Sequence, residues 1–116
     1  MKLPENFQAF VKESEDNKLY KALILQLNKD LLNANIDLEF HPDTLPMSLK
    51  LILQEAINKL INDRFNDYLN LLYIVDVSEQ KVRALEMDDT NQLSEEVTFL
   101  ILQREFQKVW YRQNLG

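Results

Sequence analysis

Glycine and proline are scarce in this chain, and their scarcity excludes most β architectures. The only glycine among the 116 residues is Gly116, and the three prolines are Pro4, Pro42 and Pro46. An average chain of this length has about eight glycines and six prolines. Because glycine supplies the positive φ angles of tight turns and proline marks loops, we predict an all-α fold. Glycine-rich phosphate-binding loops, of the Walker or dinucleotide type, are excluded for the same reason.

Cysteine is absent, which excludes disulfide frameworks, thiolate metal sites and thiol catalysis. Long hydrophobic runs are also missing, since the longest, 71–75 and 99–102, fall far short of the roughly 20 residues that a membrane span needs. The first residues, MKLPEN, place an acid and an amide where a secretory signal has its apolar run. We therefore expect a cytoplasmic protein with no membrane partner.

Basic residues are outnumbered by acidic ones, 13 to 19, and the formal net charge is −6. The electrostatic field of this net negative charge repels nucleic acid, so we expect no nucleic-acid partner. It favours solubility and suits a basic partner, although an ordinary acidic protein has the same balance. The length predicts a single domain, residues 1–116, that buries a core without disulfides or metal.

Apolar residues recur at helical spacing through most of the chain. A helix follows Pro4, and a polar break over 14–17 separates it from the next. The stretch 47–75 contains no proline, glycine or internal cap, so we predict one long helix over 46–75, kinked if anywhere near Asp63. Asp76 to Glu79 fits a capping box before a short helix. The predicted helices after the first are 17–35, 46–75, about 79–87 and 92–113, which gives an irregular bundle of four to five helices around 46–75.

Residues 36–46 interrupt this helical pattern. Ile36, Leu38 and Phe40 alternate with acidic residues, and His41 and Leu45 each precede a proline, which favours extended backbone. Without a second strand to pair with, we predict an extended crossover loop that lays its three apolar side chains against the core.

The last predicted helix carries the candidate interaction surface. Its apolar residues cover more than one stripe, and basic residues recur at i+4 near its end, beside aromatic side chains. This pattern favours a non-enzymatic protein–protein interaction module that self-associates, most simply as a dimer, without cofactor or metal. The surface consists of Phe99, Arg104, Phe106, Lys108, Trp110, Tyr111 and Arg112.

Two alternative functions stay open. Asp63 and Asp67 share a helix face and Asp76 follows, and paired carboxylates can perform acid–base or ligand-binding work. The acidic stretch 86–96 suits an inhibitor or immunity-type protein that meets a basic partner. Within it, the run from Asp88 to Glu96 lacks the central glycine of a calcium loop. His41, the only histidine, has no catalytic motif around it.

The stretches NDYLNLLYIVDVSEQKV, residues 66–82, and LQREFQKV, residues 102–109, resemble segments of small all-helical bacterial proteins of unknown function. The resemblance covers about a fifth of the chain. It implies a helical bacterial protein and transfers no site.

Overall fold

The computed structural model describes residues 2–85 and 88–115, and within them the chain is all-α, as predicted. Six helices lie in the described part of the chain, one more than the upper prediction, and those residues contain no strand. Their bounds are α1 Phe7–Asp16, α2 Tyr20–Asn33, α3 Pro46–Asp63, α4 Phe65–Val75, α5 Glu79–Arg83 and α6 Thr90–Leu115.

The helix at the centre of the bundle is α6, which corrects the prediction that 46–75 is central. α6 packs against α1, α2, α3 and α4. Because neighbouring helices lie on several sides of α6, apolar residues on more than one stripe of this helix are buried in the core. The buried apolar side chains of α6 are Val97, Ile101, Leu102, Phe106 and Val109.

The predicted long helix is interrupted at Arg64, one residue after the place where a kink was expected, so 46–75 forms two helices and not one. Arg64 has φ −142° and ψ 61°, and it separates α3 from α4. Its backbone N–H still bonds to the Leu60 carbonyl, while its own carbonyl accepts from the N–H of Tyr68, so one helix ends and the next begins there. No proline or glycine causes the break. The change of direction at Arg64 instead allows α4 to pack against the core, where it buries Tyr68, Leu71, Leu72 and Val75.

Three helix ends reach the left-handed region without glycine. Lys18, Asn35 and Asp76 have φ values of 57°, 57° and 71°. In each case the N–H of the following residue bonds back to a carbonyl five residues earlier, at 2.8 to 3.0 Å, which is the Schellman arrangement. Those following residues, Leu19, Ile36 and Val77, are all apolar and buried. Burial of a side chain in each motif therefore offsets the cost of a left-handed non-glycine residue.

The crossover between α2 and α3 is an extended loop, as predicted. Asn28 on α2 holds it by a reciprocal pair of 2.8 Å hydrogen bonds with the backbone N–H and C=O of Phe40. The hydroxyl of Tyr20 donates to the Thr44 carbonyl at 2.6 Å. Ile36 and Phe40 are buried and Leu38 is half-buried against the core.

Other helix boundaries differ from the sequence interpretation by a few residues. α1 continues through the predicted break to Asp16, and α6 begins at Thr90. The capping residue of α5 is Ser78, whose hydroxyl accepts from the Lys81 N–H at 3.4 Å, because Asp76 terminates α4 instead. The predicted end of the short helix near Met87 lies outside the described residues.

We expect Lys18→Gly to stabilise the protein by about 0.5–1 kcal/mol, because glycine adopts positive φ without the Cβ clash. Lys29→Gly is the matched control, since Lys29 is exposed inside α2. That change should cost about 1 kcal/mol. Urea unfolding followed by circular dichroism measures both, and equal destabilisation by the two changes would contradict the account of this helix end.

Candidate interaction surface

Arg104 of the predicted surface is bound by the end of α4. Its Nη2 donates to Asp76 Oδ2 at 2.9 Å, and its Nε donates to the Asp76 carbonyl at 3.1 Å. Its Nη1 donates to the side-chain oxygen of Gln107 at 2.8 Å. Since the arginine side chain is only 28% exposed, its main role in the structure is to tie α6 to the α4 end.

Lys108 and Arg112 bind α2 in the same manner. Lys108 Nζ donates to Asp30 Oδ2 at 2.6 Å, and Arg112 Nη2 donates to the side-chain oxygen of Gln26 at 2.6 Å. The predicted basic row is therefore engaged by partners within the molecule. Its role toward a second protein stays a prediction.

The aromatic residues of the predicted surface divide into two groups. Phe106 is 2% exposed, so it belongs to the core and not to a contact surface, which corrects its assignment. Phe99 and Trp110 are half-buried. Tyr111 is 40% exposed, and its ring lies edge-on to Trp110 with centroids 5.4 Å apart. These three side chains still reach the surface.

Two carboxyl groups and a lysine lie buried together between α2 and α6. Glu105 is fully buried, Asp30 is 4% exposed, and Lys108 Nζ lies 2.6 Å from Asp30 Oδ2 and 2.7 Å from Glu105 Oε1. Gln26 Nε2 donates to the other oxygen of Asp30 at 3.0 Å. Each oxygen of Asp30 thus accepts a hydrogen bond, one from Lys108 and one from Gln26.

Glu105 is the member of this cluster that is held neutral. Burial raises its pKa to about 8, a hydrogen bond with Asp30 acts in the same direction, and Lys108 opposes both. Among the described residues, neither carboxyl oxygen of Glu105 accepts a hydrogen bond, since the close approach of Lys108 lacks hydrogen-bond geometry. A protonated Glu105 that donates its O–H to Asp30 accounts for both observations. Glu105 then adds no second negative charge beside Asp30.

Paired carboxyls with a raised pKa can also serve as an acid–base site. Here the pair is sealed, because Glu105 is fully buried and Asp30 nearly so. A substrate cannot reach either group in this conformation. The arrangement therefore works as a polar contact that fixes how α2 and α6 pack.

Sequence reasoning missed this cluster although a signal was present. Asp30 falls in the apolar row of α2 between Leu27 and Leu31, and Glu105 falls between Leu102 and Phe106 in the row of α6. A charged residue at a core position of a helix marks a candidate for buried pairing. The identity of its partner follows only from the packing of the two helices.

The three carboxylates of the ligand-binding alternative do not converge. Asp63 lines a groove beside α3, Asp76 lines a groove between α4 and α5, and Asp67 pairs with Arg64 through a 2.6 Å Oδ2–Nε contact on the first turn of α4. His41 is exposed, and its Nδ1 accepts a 3.0 Å hydrogen bond from the backbone N–H of Asp43. The predicted acid–base function gains no support from this geometry.

Residues 2–85 and 88–115 contain no group of three or more histidine, aspartate or glutamate side chains placed to hold a metal ion. In the same residues no helix is long and apolar enough for a membrane crossing. Of the acidic stretch 86–96, Asp88, Asp89 and Glu95 are exposed, while Glu86 and Met87 lie outside the described residues. An acidic contact for a basic partner stays a prediction.

The apolar surface on α4 is more continuous than the predicted surface on α6. Eight of the eleven residues of this helix are apolar, more than one buried stripe can use. Phe65, Leu69 and Tyr73, spaced four residues apart, are 53%, 48% and 83% exposed. Because they follow each other at i+4, their side chains form one row on the outer side of α4.

A groove of about 540 Å³ runs beside this row, between α4 and α5. Leu69, Leu72, Tyr73 and Val82 provide its apolar wall, and its polar lining includes Asp76, Ser78, Glu79 and Arg83. We call the surface formed by Phe65, Leu69, Tyr73 and Val82 the α4–α5 face. Sequence reasoning placed Phe65, Leu69 and Tyr73 in the apolar pattern of the predicted helix 46–75, which gave no sign that they stay exposed.

No protein-family model, curated protein or solved structure matches the chain. The resemblance of residues 66–82 and 102–109 to small bacterial helical proteins therefore stays a prediction.

We expect the stability gap between Glu105→Gln and the wild type to depend on pH. The pKa of Glu105 is raised from 4.5 in the unfolded chain to about 8 in the fold. The wild type therefore loses stability as pH rises from 4.5 to 8, by about 1.4 kcal/mol per unit at most, and the loss levels off above 8. A neutral amide escapes this loss while it keeps a donor for Asp30.

Thermal unfolding at pH 5 and pH 8.5 tests the expectation. The melting temperature of Glu105→Gln relative to the wild type should be several degrees higher at pH 8.5 than at pH 5. Glu95→Gln, an exposed change on the same helix, should show no such dependence. A constant difference for Glu105→Gln would mean that Glu105 is ionised in the fold.

Proposed function

We propose that the protein is a non-enzymatic interaction module that binds another protein chain through the α4–α5 face. The observation that supports this most is the row of Phe65, Leu69 and Tyr73, each about half or more exposed on one side of one helix. Contiguous apolar patches on a protein surface mark interaction sites more often than isolated apolar residues do.

The chemistry of the face suits protein recognition. Tyr73, 83% exposed, is a large side chain with one polar atom, a type enriched at the centre of interfaces. The groove beside it has an apolar wall and a polar rim with both signs of charge, Asp76 and Arg83 among them. Such a groove matches an amphipathic helix that inserts apolar side chains and leaves its polar side at the rim.

The C-terminal part of α6 is a weaker candidate than the sequence indicated. Arg104, Lys108 and Arg112 form hydrogen bonds within the molecule, so a partner would have to compete for them. Phe99, Trp110 and Tyr111 are each 40% exposed or less, whereas the three residues of the α4 row are 48% to 83% exposed. The proposal therefore shifts the centre of recognition from α6 to α4.

Affinity capture with tagged wild-type and variant protein tests the function. Leu69→Lys puts a charge at the middle of the face, and we expect it to reduce capture of bound protein by about tenfold or more, as loss of a central interface side chain does. Leu25→Lys is the matched control, because Leu25 is 60% exposed on α2, off this face.

The control variant should retain the captured protein at the wild-type level. Loss of capture by both variants, or by neither, would contradict recognition through the α4–α5 face. Circular dichroism of both variants confirms that each remains folded.

A further inference from the structure

We propose that a second copy of this chain covers the α4–α5 face, with the two α4 helices packed antiparallel about a two-fold axis that passes beside Leu69. This inference rests on the proposed function and names its partner. It follows from the charge, the spacing and the size of the face.

The charge of the face suits a copy of itself. The chain carries a net charge of −6, so two copies repel each other over most approaches. α4 contains one charged residue, Asp67, and Arg64 Nε holds that carboxylate at 2.6 Å. Two copies that meet through α4 therefore bring together surfaces without net charge. A strongly basic or acidic partner would find no complementary field on the exposed row itself.

The spacing of the row is self-complementary. Phe65 and Tyr73 stand four residues before and after Leu69, which is about 6 Å of helix on each side. A two-fold axis beside Leu69 places Phe65 against Tyr73 of the partner subunit, and Leu69 against the partner's Leu69. Each aromatic ring thus meets another aromatic ring, and the same contact occurs twice.

The ends of the helix fit the antiparallel direction. Arg64, which also pairs with Asp67, precedes α4, and Asp76, which also pairs with Arg104, follows it; both side chains are more than half exposed. Antiparallel packing brings the Arg64 end of one copy toward the Asp76 end of the other. Antiparallel packing also points the two helix dipoles in opposite directions, so that they attract each other. Parallel packing would point them in the same direction, so that they repel.

The size of the face sets the expected affinity. An eleven-residue helix is about 16 Å long, so the row alone buries less than the roughly 800 Å² per partner of a standard interface. The walls of the α4–α5 groove have to contribute as well. We therefore expect a weak dimer, with a dissociation constant on the order of micromolar to tens of micromolar.

A charge exchange across the axis tests the arrangement by sedimentation equilibrium. Phe65→Glu and Tyr73→Lys should each be monomeric at concentrations where the wild type dimerises, because each homodimer would bury two unpaired charges. An equimolar mixture should dimerise, since the introduced carboxylate of one chain then faces the introduced ammonium of the other. Parallel packing brings no such pair together, so a mixture that stays monomeric overturns the antiparallel arrangement.

Cross-linking gives a second readout that does not depend on charge. The chain has no cysteine, so a single Leu69→Cys change places one thiol beside the proposed axis. Mild oxidation should convert this variant to a covalent dimer at least tenfold faster than Leu25→Cys. Equal rates, or faster cross-linking through position 25, would overturn the proposal.

Failure of this inference can be separated from failure of the proposed function. A wild type that is monomeric up to several hundred micromolar overturns the dimer. If capture of a different protein is nevertheless lost in Leu69→Lys and kept in Leu25→Lys, the interaction function stands and only the partner is wrong. A monomer without such capture contradicts both.

Discussion

Burial of α6 on several sides is the constraint on which the rest of the structure depends. The helix packs against α1, α2, α3 and α4, so it has to be apolar around much of its circumference. Glu105, Asp30 and Lys108 add a directional contact to this apolar packing. Apolar side chains tolerate small rotations and shifts, whereas a buried hydrogen-bonded ion pair is satisfied in one register of α2 against α6.

The short helices around α6 require sharp changes of direction, and the chain makes them without internal glycine. At Lys18, Asn35 and Asp76 a polar residue takes a positive φ, and a buried apolar residue follows it. Each turn is thus stabilised by core packing and not by backbone freedom. α4 ends in one of these turns, and Arg104 binds both the side chain and the carbonyl of its left-handed residue, Asp76.

The predictable part of the fold rests on local patterns. Scarcity of glycine and proline indicated the all-α class, and the alternation of Ile36, Leu38 and Phe40 indicated a loop that reaches the core. A kink near Asp63 was the one irregularity that the sequence left open, but a complete break at Arg64 was not predictable, because the stretch contains neither proline nor glycine. It depends on which side of α4 has to meet α2, α3 and α6, and that is a property of the packed molecule.

The candidate site was predicted less well than the fold for the same reason. Basic residues at i+4 on α6 looked like a surface row, but the residues that bind them lie on other helices. Asp30 and Lys108, for example, are 78 positions apart in the chain. Phe65, Leu69 and Tyr73 are exposed because the chain changes direction at Arg64. Their exposure was therefore also not predictable from the local sequence. Local sequence shows that α4 has too many apolar residues for one stripe, but it does not show which row stays outside.

The sealed carboxyl of Glu105 also links folding to proton uptake. With a pKa of about 8 in the fold against 4.5 in the unfolded chain, Glu105 is mostly protonated at pH 7 in the native protein and ionised in the unfolded chain. The native charge at neutral pH is therefore closer to −5 than to the formal −6, that is, −6 plus one retained proton. Folding in a neutral buffer draws this proton from the buffer. Its calorimetric enthalpy consequently contains the ionisation heat of whichever buffer supplies the proton.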